Sequence, residues 1–159
     1  MGAEYALKLA VNCPKRVAGL VLIAATPRMM ADSGWIGMSN RRLAALEMGL
    51  RLTLGNGFFG IPEGKPNPYL ADSEENLARG IDFLRNTDLR RDLEENRAEL
   101  AKIPAFIFQS ERDPIVRASN AEYLATIFSN AKLEIVPGAE HALPIFIPEK
   151  IDSAVQSLL

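Results

Sequence analysis

From Val17 to Ala25 the chain carries nine residues in a row without a polar side chain. The run is well short of the ~20 residues that cross a bilayer, and it lacks the alternation of a strand with one wet face. Continuous apolarity over this length marks a strand covered on both sides, as in a parallel sheet. Lys15 and Arg16 just ahead of it imitate the charged region of a signal peptide. The run begins too far from the N-terminus, behind a separate helical segment, so a buried strand is expected and a signal is not.

Parallel strands need crossover connections, and the remaining pattern supplies them. Gly2 to Asn12 is apolar apart from Glu4, Lys8 and Asn12, which predicts a helix buried on most sides and stopped by Pro14. Ile103 to Phe108 and Leu133 to Val136 predict two more strands, with Pro104 placing the first near a strand start or an edge. Ser119 and Glu122 form a capping box for a helix whose inner face is Ala121, Leu124, Ala125 and Phe128. Pro148 opens a last helix lined by Ile151, Ala154, Val155 and Leu158. Strand and helix in tandem predict an α/β class with right-handed crossovers.

The stretch between the first and second strands has another character. Leu43, Leu46, Leu50 and Leu54 fall at helical spacing behind Ser39 or Asn40, with Gly55 as the stop. Gly and Pro recur from Gly55 to Pro68, which reads as a loop. Asp72 and Glu75 begin a helix that buries Leu77, Ile81 and Leu84. Thr87 or Asp88 begins a charged helix with Leu89, Leu93 and Leu100 inward. The expected organisation is therefore a partial α/β core over residues 1–27 and 102–159, interrupted by a helical insertion over 28–101.

Composition narrows the function classes. Over 159 residues the hydrophobic share is 48% and the charged share 24%, which excludes disorder and allows a real core. A net charge of −2 gives no electrostatic case for nucleic acid, and no segment suits a membrane. The single cysteine, Cys13, rules out an intrachain disulfide and argues for the cytoplasm.

In open α/β sheets, ligands and chemistry gather at the carboxyl ends of strands. Asp113 follows the second predicted strand, in Gln109-Ser110-Glu111-Arg112-Asp113-Pro114. His141, the only histidine, follows the third, in Pro137-Gly138-Ala139-Glu140-His141-Ala142. A carboxylate and an imidazole at the ends of adjacent parallel strands can meet. The carboxylate then accepts the Nδ1 hydrogen, fixes the tautomer and supports the imidazolium formed when Nε2 takes a proton. Taken singly, an Asp before Pro is a common turn residue and a lone His a common surface one. Their order and shared strand-end position favour the pair.

Three segments carry a family resemblance. Pro14-Lys15-Arg16-Val17-Ala18-Gly19-Leu20-Val21-Leu22-Ile23 resembles a strand of the α/β-hydrolases. Arg112-Asp113-Pro114-Ile115-Val116 resembles their acid loop, and Pro137-Gly138-Ala139-Glu140-His141-Ala142 their histidine loop. Ala25-Thr26-Pro27-Arg28, Thr87-Asp88-Leu89-Arg90 and Ala142 are similar to the biotin-pathway esterases, which demethylate pimeloyl-acyl-carrier-protein methyl ester. The resemblance implies the C-terminal half of an α/β-hydrolase, with three parallel strands, flanking helices and a helical lid. It implies a Ser-Asp-His carboxylesterase without cofactor or metal, in which Asp113 and His141 are catalytic. It also implies a small-molecule or carrier-linked ester as substrate.

Met1-Gly2-Ala3-Glu4 fits only the end of the Gly-x-Ser-x-Gly elbow and the helix behind it. The resemblance therefore places the nucleophilic serine immediately before Met1, together with a missing N-terminal half, and gives the Met1 amide an oxyanion role. The serines within 1–159 are expected to be caps, turn or helix residues, and the chain by itself is expected to be inactive. Within the lid, Trp35, Met38, Met48, Phe58 and Phe59 are candidates to line an acyl channel, although helix-spaced Met and Leu are more often core. Arg28, Arg41, Arg42 and Arg51 are candidates to meet an acidic carrier, with Arg41 and Arg42 foremost. Two alternatives stay open: a haloalkane or epoxide hydrolase with Asp at the elbow, and a non-catalytic fragment or interaction module.

Overall fold

The computed structural model describes residues 2–28, 38–46, 48–49, 73–139, 141 and 143–159. Its elements in chain order are α1 (Gly2–Asn12), a 3-10 turn (Pro14–Arg16), β1 (Leu20–Ile23) and α2 (residues 40–46). Then come α3 (Glu74–Asn86), α4 (Arg90–Glu95), α5 (Arg97–Leu100), β2 (Ala105–Ser110) and α6 (Ala118–Ile127). The chain closes with β3 (Ala131–Val136), α7 (Leu143–Phe146) and α8 (Pro148–Gln156).

The sheet runs β1-β2-β3, with both pairings parallel. Leu20 pairs with Ala105, and Ala105 in turn with Ala131, so β2 lies in the middle. One face carries Leu20, Leu22, Ala105 and Ile107. It packs with Leu7 and Ala10 of α1, Leu93 of α4, Leu100 of α5, and Ala121, Leu124 and Ile127 of α6. The opposite face, with Val21, Ile23, Phe106 and Phe108, packs on Leu143 of α7 and Ala154 of α8. Alternate residues of one strand thus enter two separate cores, the physical origin of the unbroken apolar run.

β1 is shorter than the expected 17–25. The Pro14–Arg16 turn delays its start, and Ala24 swings to φ 46, which ends it. Beyond β1 the Thr26 hydroxyl donates to Asn120 Oδ1 at 3.1 Å, tying the buried departing chain to α6. Arg28 and Asp88 form an antiparallel bridge, and Leu89 N–H donates to the Pro27 carbonyl at 2.9 Å. These bonds join the two ends of the inserted segment.

The chain divides into two compact units, Met1–Ser33 with Thr87–Leu159, and Gly34–Asn86. This moves the insertion boundary: residues 87–101, expected in the insertion, belong with the sheet because Leu89, Leu93 and Leu100 are buried in its core. Within the smaller unit, Leu43 and Ala44 of α2 pack with Leu77 and Ile81 of α3. Ser39 Oγ accepts from Arg42 N–H and caps α2, as expected. Ser73 Oγ accepts from Asn76 N–H and does the same for α3. Asp72, the expected start, lies outside the described residues, as do Leu50 and Leu54.

Several local expectations are corrected. α1 buries one stripe only, with Tyr5 and Leu9 more than half exposed. Leu46, expected inward, is 50% exposed, and Val155 of α8 is exposed as well. Ser119 lies inside α6 and is not its cap: the helix starts two residues earlier than expected, at Ala118 behind Arg117, without a side-chain cap.

Candidate active site

The site is built where β2 and β3 end. Past the last ladder pair, Ser110 with Val136, the two loops remain joined. Glu111 N–H donates to the Val136 carbonyl at 3.0 Å and Arg112 N–H to the Ala139 carbonyl at 3.1 Å. Gly138, at φ +68, turns the histidine loop and donates its N–H to Glu111 Oε2 at 2.9 Å. A glycine suits that left-handed position because a side chain there is strained. Main-chain bonds thus fix the two loops against each other before any side chain of the pair is considered.

Asp113 and His141 meet across this junction, with Nδ1 of the ring 2.8 Å from Oδ2. The Asp113 side chain is 1% exposed, whereas that of His141 is 45% exposed. The other carboxylate oxygen, Oδ1, accepts the amides of Ile115 and Val116, each at 2.8 Å. The acid is therefore locked from behind, while the ring it holds remains open to a reactant. Burial pushes the Asp113 carboxyl up. The hydrogen bonds from His141, Val116 and Ile115, with the His141 charge, outweigh it and hold the group below its ordinary value. An anion kept in this way can accept Nδ1–H and leave Nε2 free to take a proton.

Gln109, the penultimate residue of β2, is fully buried beside the acid. Its Nε2 donates to the Val116 carbonyl at 2.8 Å and faces Asp113 Oδ2 and the Ser110 carbonyl at 3.3 Å. Neither Gln109 nor Glu111 stood out in the sequence. The available signal was a Gln at the end of an otherwise apolar strand, where a free polar side chain is unfavourable.

The other expected site residues fall elsewhere. Met1, Trp35, Phe58 and Phe59 lie outside the described residues. Met38 packs against the cluster of Leu43, Ala44, Leu77 and Ile81 in the smaller unit, and its carbonyl accepts from Arg85 at 2.6 Å. Arg41 and Arg42 are exposed on α2. A groove of about 630 Å3 between the β2–β3 face and α8 is lined by Phe106, Lys132, Lys150 and Ser153 among others, without Asp113 or His141. Among the described residues no cluster of three His, Cys, Asp or Glu could hold a metal ion. No described helix is long and apolar enough to cross a membrane.

No protein-family model matches the chain. A pimeloyl-acyl-carrier-protein methyl ester esterase of Xanthomonas oryzae pv. oryzae is 29% identical over 180 aligned positions, covering 98% of this chain and 66% of the relative. One from Legionella pneumophila is 27% identical, covering 89% of this chain and 60% of the relative. The chain thus spans a little under two thirds of these relatives' length. Among solved structures, an α/β hydrolase from a Medee basin deep-sea metagenome library superposes with a TM-score of 0.70 at 19% identity, covering 99% of this chain and 61% of that one. An esterase from Exiguobacterium antarcticum gives 0.66 at 20%, covering 98% and 63%. With its parallel sheet flanked by helices, this chain has the fold of the C-terminal part of an α/β hydrolase and resembles the pimeloyl-acyl-carrier-protein methyl ester esterases.

Proposed function

We propose that this chain supplies the acid and base of a carboxylic-ester hydrolase. The observation that carries the proposal is the 2.8 Å contact between His141 Nδ1 and the buried Asp113 carboxylate at the ends of adjacent parallel strands. In the complete enzyme His141 Nε2 takes the proton of a serine hydroxyl as that oxygen attacks the ester carbonyl. The imidazolium, steadied by Asp113, returns the proton to the departing alcohol. Water then enters, gives a proton to the same nitrogen and attacks the acyl carbonyl; as the acyl–serine bond breaks, the imidazolium returns that proton to the serine oxygen and the carboxylic acid is released. By the resemblance, the serine directly precedes Met1 and the Met1 amide helps hold the oxyanion.

The similarity to pimeloyl-acyl-carrier-protein methyl ester esterases supports an acyl methyl ester as substrate, either small or carrier-linked. In this reading the inserted unit is the lid, Trp35, Met38, Phe58 and Phe59 are its acyl-lining candidates, and Arg41 and Arg42 meet the acidic carrier. A single cysteine suits a cytoplasmic setting.

Fluorophosphonate labelling tests the assignment. The 159-residue polypeptide is expected to remain unlabelled. The protein extended through the upstream reading frame is expected to label at one serine and to hydrolyse methyl esters. Labelling of any serine within 1–159 would overturn the upstream nucleophile. An extended protein inert to both probe and esters would overturn the hydrolase.

A further inference from the structure

We infer that Gln109 is a positioning residue for the acid–base pair, an inference that rests on the esterase reading above. Its Nε2 stands among three acceptors: the Val116 carbonyl at 2.8 Å, and Asp113 Oδ2 and the Ser110 carbonyl at 3.3 Å. A group surrounded by three oxygens must be the NH2 end of the carboxamide, because the opposite orientation sets oxygen against oxygen. Oδ2 is also the atom that receives His141 Nδ1. The Asp113 carboxylate is therefore held at four points. Ile115 and Val116 amides fix Oδ1, while Gln109 and His141 share Oδ2.

The other end of the Gln109 carboxamide shows what this arrangement costs. Its Oε1 is buried without a hydrogen-bond partner among the described residues. An unsatisfied buried carbonyl oxygen is unfavourable, and an apolar side chain of similar length would avoid it. Retaining the amide at a fully buried strand position makes sense if its NH2 is used. That NH2 performs two tasks at once. It closes the loop through Val116, and it limits rotation of the carboxylate about its Cβ–Cγ bond, so that Oδ2 stays toward the ring. A hydrogen bond to a charged oxygen also favours the anion.

The experiment uses the complete enzyme and the variants Gln109→Met and Gln109→His, read by steady-state kinetics on a short methyl ester and by 15N NMR of the His141 ring. Met keeps the length and removes the donor; His restores an N–H at similar reach. The expected result for Gln109→Met is a kcat about tenfold lower, the low end for one hydrogen bond to a charged group given the 3.3 Å separation. KM should stay within about twofold, and the Nδ1–H tautomer should lose population. Gln109→His should recover both readouts. Unchanged kcat and tautomer in a folded Gln109→Met would overturn the inference. If the Met variant does not fold, a folded His variant with the tautomer lost would do so instead. Asp113→Asn separates the two ideas: severe loss there beside a normal Gln109→Met sinks only the positioning role, whereas full activity in Asp113→Asn sinks the relay itself.

Discussion

Replacing Asp113 by Asn changes one oxygen to NH2 and almost nothing in size, yet the surroundings dictate which end goes where. Oδ1 receives two main-chain amides at 2.8 Å, so the carboxamide oxygen must occupy that place. The NH2 is then forced into the position of Oδ2, opposite His141 Nδ1 and beside the Gln109 donor. A donor now faces the ring nitrogen, and the imidazole relieves the clash by moving its hydrogen to Nε2. In that tautomer the nitrogen that should accept the nucleophile's proton already carries one. Loss of the correct tautomer in a Ser-His-Asp enzyme costs about 10^4 in kcat, or about 5 kcal/mol. The assay is turnover of a short methyl ester by the complete enzyme, paired with 15N NMR of the ring. Asp113→Asn is expected to be about four decades slower, with KM little changed and the Nε2–H form dominant. A loss under about tenfold, or an Nδ1–H ring in the variant, would refute this account of how the acid acts.

Leu124 is fully buried between α6 and the sheet; Leu124→Ala should cost about 2–5 kcal/mol by cavity formation, seen as a lower denaturant midpoint. The Asp88 carboxyl is lowered from 3.8 to about 2, chiefly by its hydrogen bond from Arg90. A depressed folded value means stability that is present above about pH 4 and lost as the pH falls toward 2. Melting curves over that range should show a shallower acid loss for Asp88→Asn. At pH 6 the two proteins should differ by only about 2 °C, since the pair is half exposed. Reversing Arg41 and Arg42 to Glu should raise KM for carrier-linked esters more than for free short ones; equal effects would remove carrier binding from this patch.

The parallel sheet was readable because Val17 to Ala25 has no polar side chain to turn toward water. The pair was readable because Asp113 and His141 each follow a strand, and parallel strands bring their carboxyl ends together. What stayed hidden depends on partners distant in sequence. Gln109 looks like a strand residue until Val116 and Asp113 fold back over it. Glu111 looks like a loop charge until Gly138 presents its amide. Ser119 is the right residue type for a cap, but the chain enters α6 two residues earlier, with Arg117 at the cap position. Leu46 keeps helical spacing without finding cover, because periodicity names a face and only packing decides whether that face is buried.

The main-chain bonds that join the ends of β2 and β3 have one more consequence. Asp113, His141, Gln109 and Glu111 all belong to two neighbouring strands and the turns that follow them, within a single stretch of 33 residues from Gln109 to His141. None is contributed by Gly34–Asn86. If the proposed esterase reading holds and residues 34–86 form the lid, proton handling and substrate choice can diverge independently, because that unit can be rewritten while the Asp113–His141 pair is inherited intact.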